Sequence, residues 1–157
     1  MSSPLVKLIV KYGNDLIITT QDLTGKSGIY NKPPTLILQN SDPNKVYLVT
    51  MTDPDAVCWT HYIVTIKNKK QTIQVPYVGP APLAGTGTHH YVFNVYEIKE
   101  DDLRQLQRAT TIHRDMYFQA ILLQKSLGNT AYFTVQTATE TATAAKSYFN
   151  PFANITA

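Results

Sequence analysis

The 157-residue chain is about the size of one domain and long enough to bury a real core. No run approaches the roughly 20 apolar residues of a membrane helix, and a net charge of +3 bears on solubility and weak anion attraction, so neither a transmembrane segment nor a nucleic-acid partner is expected. Met1-Ser2-Ser3-Pro4 leads directly into a strand-like pattern and reads as no signal peptide, and the lone Cys58 excludes an internal disulfide; both fit a reducing, cytoplasmic setting.

Leu5, Lys7, Ile9 and Lys11 alternate with Val6, Leu8 and Val10, which reads as a strand with one wetter face. Gly13-Asn14-Asp15 is a turn signal, and Leu16 to Thr20 reads as a second short strand. Thr24-Gly25-Lys26-Ser27-Gly28 lacks the leading Gly of a phosphate loop and no helix pattern follows, so it reads as a plain loop. Leu36-Ile37-Leu38 is another strand, and Asn40 to Asn44 a turn. Val46 to Met51 is nearly continuous in apolar residues, as a central strand covered on both faces would be.

That strand runs into Thr52-Asp53-Pro54-Asp55. An acidic pair at a strand end is either a site rim or an ordinary Asx turn, and both readings stay open here. His61 to Ile66 reads as a strand, Lys67-Asn68-Lys69-Lys70 as a solvated hairpin turn, and Gln71 to Val75 as the returning strand. Short strands with turn signals every 8–12 residues or so suggest an all-β sandwich core.

The chain is organised around Tyr77 to Tyr96. Its first half is a breaker run, with two Pro and three Gly in the nine residues from Gly79 to Gly87, and it fits no regular element. Its second half, Tyr91 to Tyr96, is aromatic and β-branched, as a buried strand would be. The loop is expected to deliver His89 and Tyr91 at the strand's mouth. Residues two apart share a strand face, so both can look into one cavity with Asp53-Pro54-Asp55 and Trp59-Thr60-His61.

Beyond Tyr96 the period changes. Lys99 to Gln107 has acids early and an Arg later, as a short surface helix does, and Asp115 to Gly128 has apolar residues at helical spacing. Ala131 to Val135 is a last strand. The Thr/Ala-rich stretch 137–157 is expected to be a tail that is mobile or docks on a partner, leaving 1–136 as the domain. The Asn154-Ile155-Thr156 sequon is not expected to be used without a secretion signal.

The blocks Asp53-Pro54-Asp55-Ala56, Trp59-Thr60-His61, Tyr77 to Val92 and His113-Arg114 together resemble the phosphatidylethanolamine-binding protein family, which includes the Raf kinase inhibitor proteins. They occur in family order within Val46 to Val135. The resemblance implies an antiparallel β-sandwich with a few short peripheral helices and a small anion pocket. Carried over residue by residue, that pocket is Asp53, Trp59, His61, Ala81, Pro82, His89 and Tyr91. The chain departs from the family pattern where only Val57 and Cys58 separate the acidic block from Trp59, and at Leu83 and Thr111, which replace a common Pro and Gly.

Two imidazoles, a carboxylate to orient one of them and a phenol suit an anion, with Trp59, Pro82 and Leu83 as apolar walls. The expected ligand is a phosphate-type anion or a phosphate-bearing group, be it a phospholipid headgroup such as phosphoethanolamine, a nucleotide or a phosphorylated peptide, and a protein partner is a further option. A metal is not expected: His89 and His90 diverge on a strand, and no Cys or Glu lies at ligand spacing. No cofactor is expected either. Three functions compete: a non-catalytic binding and regulatory module, a structural or assembly protein with a relic pocket, and a hydrolase. The hydrolase reading lacks a delivered Ser or Cys, and Thr60, Thr86 and Thr88 are poor nucleophiles without an adjacent base. The first reading is the expectation, and the protein is not expected to be an enzyme.

Overall fold

Among the described residues, eight strands make two antiparallel sheets. The computed structural model describes residues 5–57, 59–110, 127 and 131–137, excepting the side chains of 106–110. Strands β1 (Lys7–Tyr12), β2 (Leu16–Ile17) and β3 (Thr35–Gln39) form the smaller sheet in the order β2-β1-β3. Strands β4 (Val46–Asp53), β5 (Trp59–Lys67), β6 (Lys70–Val75), β7 (Thr88–Ile98) and β8 (Ala131–Gln136) form the larger in the order β6-β5-β4-β7-β8. Helices are peripheral: α1 (Ser27–Tyr30) is one turn, and α2 (Glu100–Thr110) opens with Glu100, Asp101 and Asp102, where acids favour a helix N-terminus.

The core lies between the sheets. Leu8, Val10 and Tyr12 of β1 meet Tyr47, Val49 and Met51 of β4 and Tyr91, Phe93 and Val95 of β7, each set two apart and so on one face. A second cluster fills the other side of the large sheet, from Val46, Leu48, Ile63, Tyr96 and Ile98 against Leu103 of α2. All eight residues of β4 are therefore buried, which is why its sequence lacks alternation.

Several boundaries differ from the sequence reading, each for a local reason. β2 stops at Ile17 because the Gln21 side chain caps it: Gln21 Nε2 donates to Ile17 O (2.6 Å) and Thr19 N donates to Gln21 Oε1 (2.7 Å). The plain loop at Thr24 to Gly28 runs into the α1 turn. β7 begins at Thr88, directly after the last glycine of the breaker run, so His89 lies inside the strand rather than at its mouth. The expected Lys67–Lys70 hairpin forms with Asn68 and Lys69 both at positive φ, the tight-turn form whose twist matches the strands. The expected helix at 115–128, nearly all of the expected tail, the 154–156 sequon, His113-Arg114 and Cys58 lie outside the described residues, with only Leu127 described within that helix.

One irregularity positions the site. On β4 and β5, Met51 faces Tyr62 but Thr52 faces Thr60, so His61 is an extra residue on β5. Such a bulge breaks the two-residue alternation locally. It lets Trp59, His61 and Tyr62 all turn to the inter-sheet side, which a regular strand would forbid.

Candidate functional site

The end of the sandwich where β4 stops and β7 begins holds a cavity of about 290 Å³. The structure brings all seven sequence-derived residues to its wall, Asp53, Trp59, His61, Ala81, Pro82, His89 and Tyr91. Leu83, expected as an apolar wall, also lines it, and Thr86 joins them. Among the described residues no lysine or arginine lines it, and its charge-bearing side chains are Asp53 and the two imidazoles.

Asp53 serves two roles at once. Its Oδ2 accepts from His89 Nδ1 at 2.6 Å, and its Oδ1 accepts from Asp55 N at 3.0 Å, capping the 3₁₀ turn Pro54–Ala56. Asp53 thus makes the Asx turn with one oxygen and orients a cavity-lining imidazole with the other. Asp55 in turn pins that 3₁₀ turn to β7, accepting from His90 N (2.7 Å) and His90 Nδ1 (2.8 Å). Asp53 and His89 are both nearly fully buried, at 3% and 4% exposure. The carboxylate's hydrogen bond raises the His89 pKa above its ordinary value against the opposing effect of burial, with the Asp53 and Asp55 charges adding to the rise.

His61 is held differently. Its Nδ1 donates to Val78 O at 2.7 Å, since a carbonyl only accepts, and Val78 N returns a bond to His61 O at 2.9 Å. This reciprocal pair ties the bulge on β5 to the loop after β6. The indole of Trp59 meets the His61 ring edge-on at 4.6 Å, and Tyr91 meets it edge-on at 5.1 Å. Burial, reinforced by the Asp53 charge, pushes the Tyr91 phenol far above its usual range, so it stays a neutral hydroxyl.

The loop that closes the cavity is fixed by glycine. A Cβ on Gly79 would sit 2.8 Å from Tyr30 O, the carbonyl that also accepts from Tyr77 OH at 2.6 Å. Gly85 and Gly87 have φ of 80° and 82°, which side-chain-bearing residues rarely adopt. Between them Thr86 Oγ1 lies 2.6 Å from His89 Nε2 and 2.7 Å from Leu83 O. This corrects the sequence reading, which gave Thr86 no adjacent base. Sequence pattern offered no handle on it, because a loop has no period from which to infer contact. Thr137, where the tail was expected to begin, donates to Pro82 O at 2.8 Å.

Among the described residues no three His, Cys, Asp or Glu side chains are grouped to hold a metal ion, and no helix is long and apolar enough to cross a membrane. A family profile described as phosphatidylethanolamine-binding protein matches residues 9–149. Among solved structures, similar folds are a carboxypeptidase Y inhibitor complexed with its cognate proteinase (16% identity, 86% of this chain and 85% of that one, TM-score 0.62) and the phosphatidylethanolamine-binding protein of Plasmodium falciparum (17%, 83% and 85%, 0.62). That of Plasmodium vivax is similar too (16%, 85% and 86%, 0.59). At such identities the likeness is one of fold.

Proposed function

The chain belongs to the phosphatidylethanolamine-binding protein family, and from that premise we propose that it is a non-catalytic binding and regulatory module whose cavity takes a phosphate-bearing group. The observation that carries this reading is the buried Asp53–His89 pair under a mostly apolar cavity. A carboxylate on Nδ1 keeps the imidazole in one tautomer and favours its charged form. Among the described residues no lysine or arginine is at the wall, so that proton is a source of positive charge for an anion there. His61 can supply a second, because its Nδ1 proton is committed to Val78 and protonation falls on Nε2.

Size limits the ligand. The cavity is at the small end of the roughly 300–1,000 Å³ range of small-molecule sites, which suits a phosphate or phosphoethanolamine headgroup. The proposed setting is the cytoplasm. A protein partner is proposed as well, such as the similar inhibitor has in its proteinase.

Titration calorimetry with inorganic phosphate and phosphoethanolamine tests the reading. Binding is expected to be weak and to tighten as pH falls. His89→Ala should weaken it about 10- to 100-fold, the equivalent of roughly 1.5–3 kcal/mol, by removing the positive charge behind the cavity wall. Equal affinity for wild type and variant would remove the site. Turnover of phosphate or acyl esters would replace the binding reading with the hydrolase one, since Thr86, His89 and Asp53 are in hydrogen-bonded sequence.

A further inference from the structure

Both nitrogens of His89 are engaged inside the protein. Nδ1 meets Asp53 Oδ2 and Nε2 meets Thr86 Oγ1, each at 2.6 Å. In this arrangement the ring has no nitrogen to offer an occupant of the cavity. The next atom along is Thr86 Oγ1, on a residue that lines the cavity and is only partly buried. We propose that Thr86 is the residue through which His89 acts on the ligand, its hydroxyl accepting from the occupant when His89 is neutral and donating to it when His89 is protonated. This rests on the anion-cavity reading above and names the contact that reading lacks.

The supply of protons decides which way each bond runs. A hydroxyl has one proton and two lone pairs, and Leu83 O can only accept. When His89 is neutral, Asp53 keeps its proton on Nδ1, so Nε2 is bare. The Thr86 hydroxyl then gives its proton to Nε2, and Leu83 O keeps the Thr86 backbone N–H at 3.2 Å. Oγ1 is left with lone pairs only, which suit a ligand ammonium or hydroxyl and repel an anion. When His89 takes a second proton, Nε2–H donates to Oγ1. The hydroxyl proton is released to Leu83 O at 2.7 Å, or to an anion that outcompetes that carbonyl.

The surroundings of His89 favour this switch. Asp53 at the end of β4 and Asp55 in the turn after it both stabilise the charged ring, the hydrogen bond from Asp53 most of all. His61 on β5 lines the same cavity and competes for positive charge when protonated. Tyr91, two residues along β7 and stacked at 6.4 Å, stays neutral. An anion at Thr86 would raise the His89 pKa further, so anion binding and proton uptake are linked.

Two measurements test it. In phosphate calorimetry, Thr86→Val should weaken binding about 10- to 100-fold, as for loss of a hydrogen bond to a charged group, while Thr86→Ser retains near wild-type affinity. The second uses wild type alone. Sulfate, whose charge is constant near neutrality, is titrated in buffers of different ionisation enthalpy. Proton uptake on binding should vanish below the free His89 pKa and reach its maximum just above it, between the free and the anion-bound values. If wild type binds phosphate and Thr86→Val binds it equally, or sulfate binds with no uptake just above the free pKa, this inference falls and the anion site stands. If wild type binds neither anion, both fall together.

Discussion

Asp53 Oδ2 and His89 Nδ1 are 2.6 Å apart and 36 residues distant in sequence, and the bond between them joins the end of β4 to the start of β7. Because Asp53 Oδ1 simultaneously caps the 3₁₀ turn that follows, the carboxylate cannot rotate without giving up the Asp55 amide. The ring it holds is correspondingly fixed, and Thr86 is fixed through the ring. A fold-stabilising cap and a site-orienting bond are thus the same side chain.

Asp53→Asn separates the two roles. Asn caps turns as well as Asp, so the 3₁₀ turn should persist and the fold with it. The charge that supports the imidazolium is lost, so the His89 pKa should fall, which nuclear magnetic resonance titration of the ring would read directly. Phosphoethanolamine affinity should fall more than phosphate affinity, because the carboxylate also attracts the ammonium. Tighter phosphate binding in the variant would instead mean that Asp53 mainly repels the anion.

The raised His89 pKa carries a sign for stability. A histidine whose folded pKa exceeds its unfolded value of about 6.5 stabilises the fold fully below that value. The contribution is lost as pH rises through the raised folded pKa. The melting-temperature difference between wild type and His89→Gln should therefore be largest at about pH 5.5–6, below the unfolded value, and shrink through neutrality. Scanning calorimetry across that range would expose a flat difference, which would mean that the ring's charge adds nothing to the fold.

How much of this was legible beforehand depended on the kind of regularity involved. Apolar runs and breaker clusters announced β4, the β5–β6 hairpin and the strand following Gly87, because periodicity and turn chemistry are local. The carried-over motif supplied the seven wall residues, which the fold gathers from β4, β5, β7 and the loop before β7. Two features had no local signature. The bulge at His61 depends on the register of β4 against β5, a pairing that the sequence of β5 does not state. The Thr86–His89 bond depends on the path of a loop with two glycines at positive φ. Asp53 was legible as a turn residue or a candidate site residue, and the geometry shows one side chain capping the turn and reaching the cavity-lining His89.

Gly79 provides a test of how the cavity's loop is seated. Gly79→Ala places a methyl 2.8 Å from Tyr30 O, a backbone atom that cannot step aside as a side-chain tip would. The loop must lift or the turn at Tyr30–Asn31 must move. Either weakens the Tyr77 OH–Tyr30 O bond. A loss of about 1–3 kcal/mol in chemical denaturation is expected, typical of overpacking against a rigid neighbour. Phosphate affinity should drop as well, because Ala81 and Pro82 follow directly on the displaced residue. Unchanged stability would mean that the contact between loop and turn is looser than its geometry.

His61→Asn distinguishes anchoring from charge at the second imidazole. The Nδ1 proton of His61 holds the Val78 carbonyl, and the Val78 amide holds the His61 carbonyl, so the loop hangs on this pair. An asparagine amide nitrogen sits close to where Nδ1 does and can donate the same bond, whereas His61→Phe leaves Val78 O without that donor. Stability should therefore rank wild type close to Asn and above Phe, with Phe lower by about 1–3 kcal/mol for the unsatisfied carbonyl. Anion binding should rank otherwise. Asn has no titrating nitrogen, so it should retain the binding seen at high pH and lose the part of the low-pH gain that His61 contributes. With sulfate, whose charge is constant near neutrality, what remains of the pH dependence among the described residues is that of His89, and a single ionisation should fit the affinity profile of the variant. If His61→Asn leaves the whole pH profile of wild type intact, the second imidazole is an anchor for the loop and His89 is the sole proton-responsive group among the described residues of the cavity.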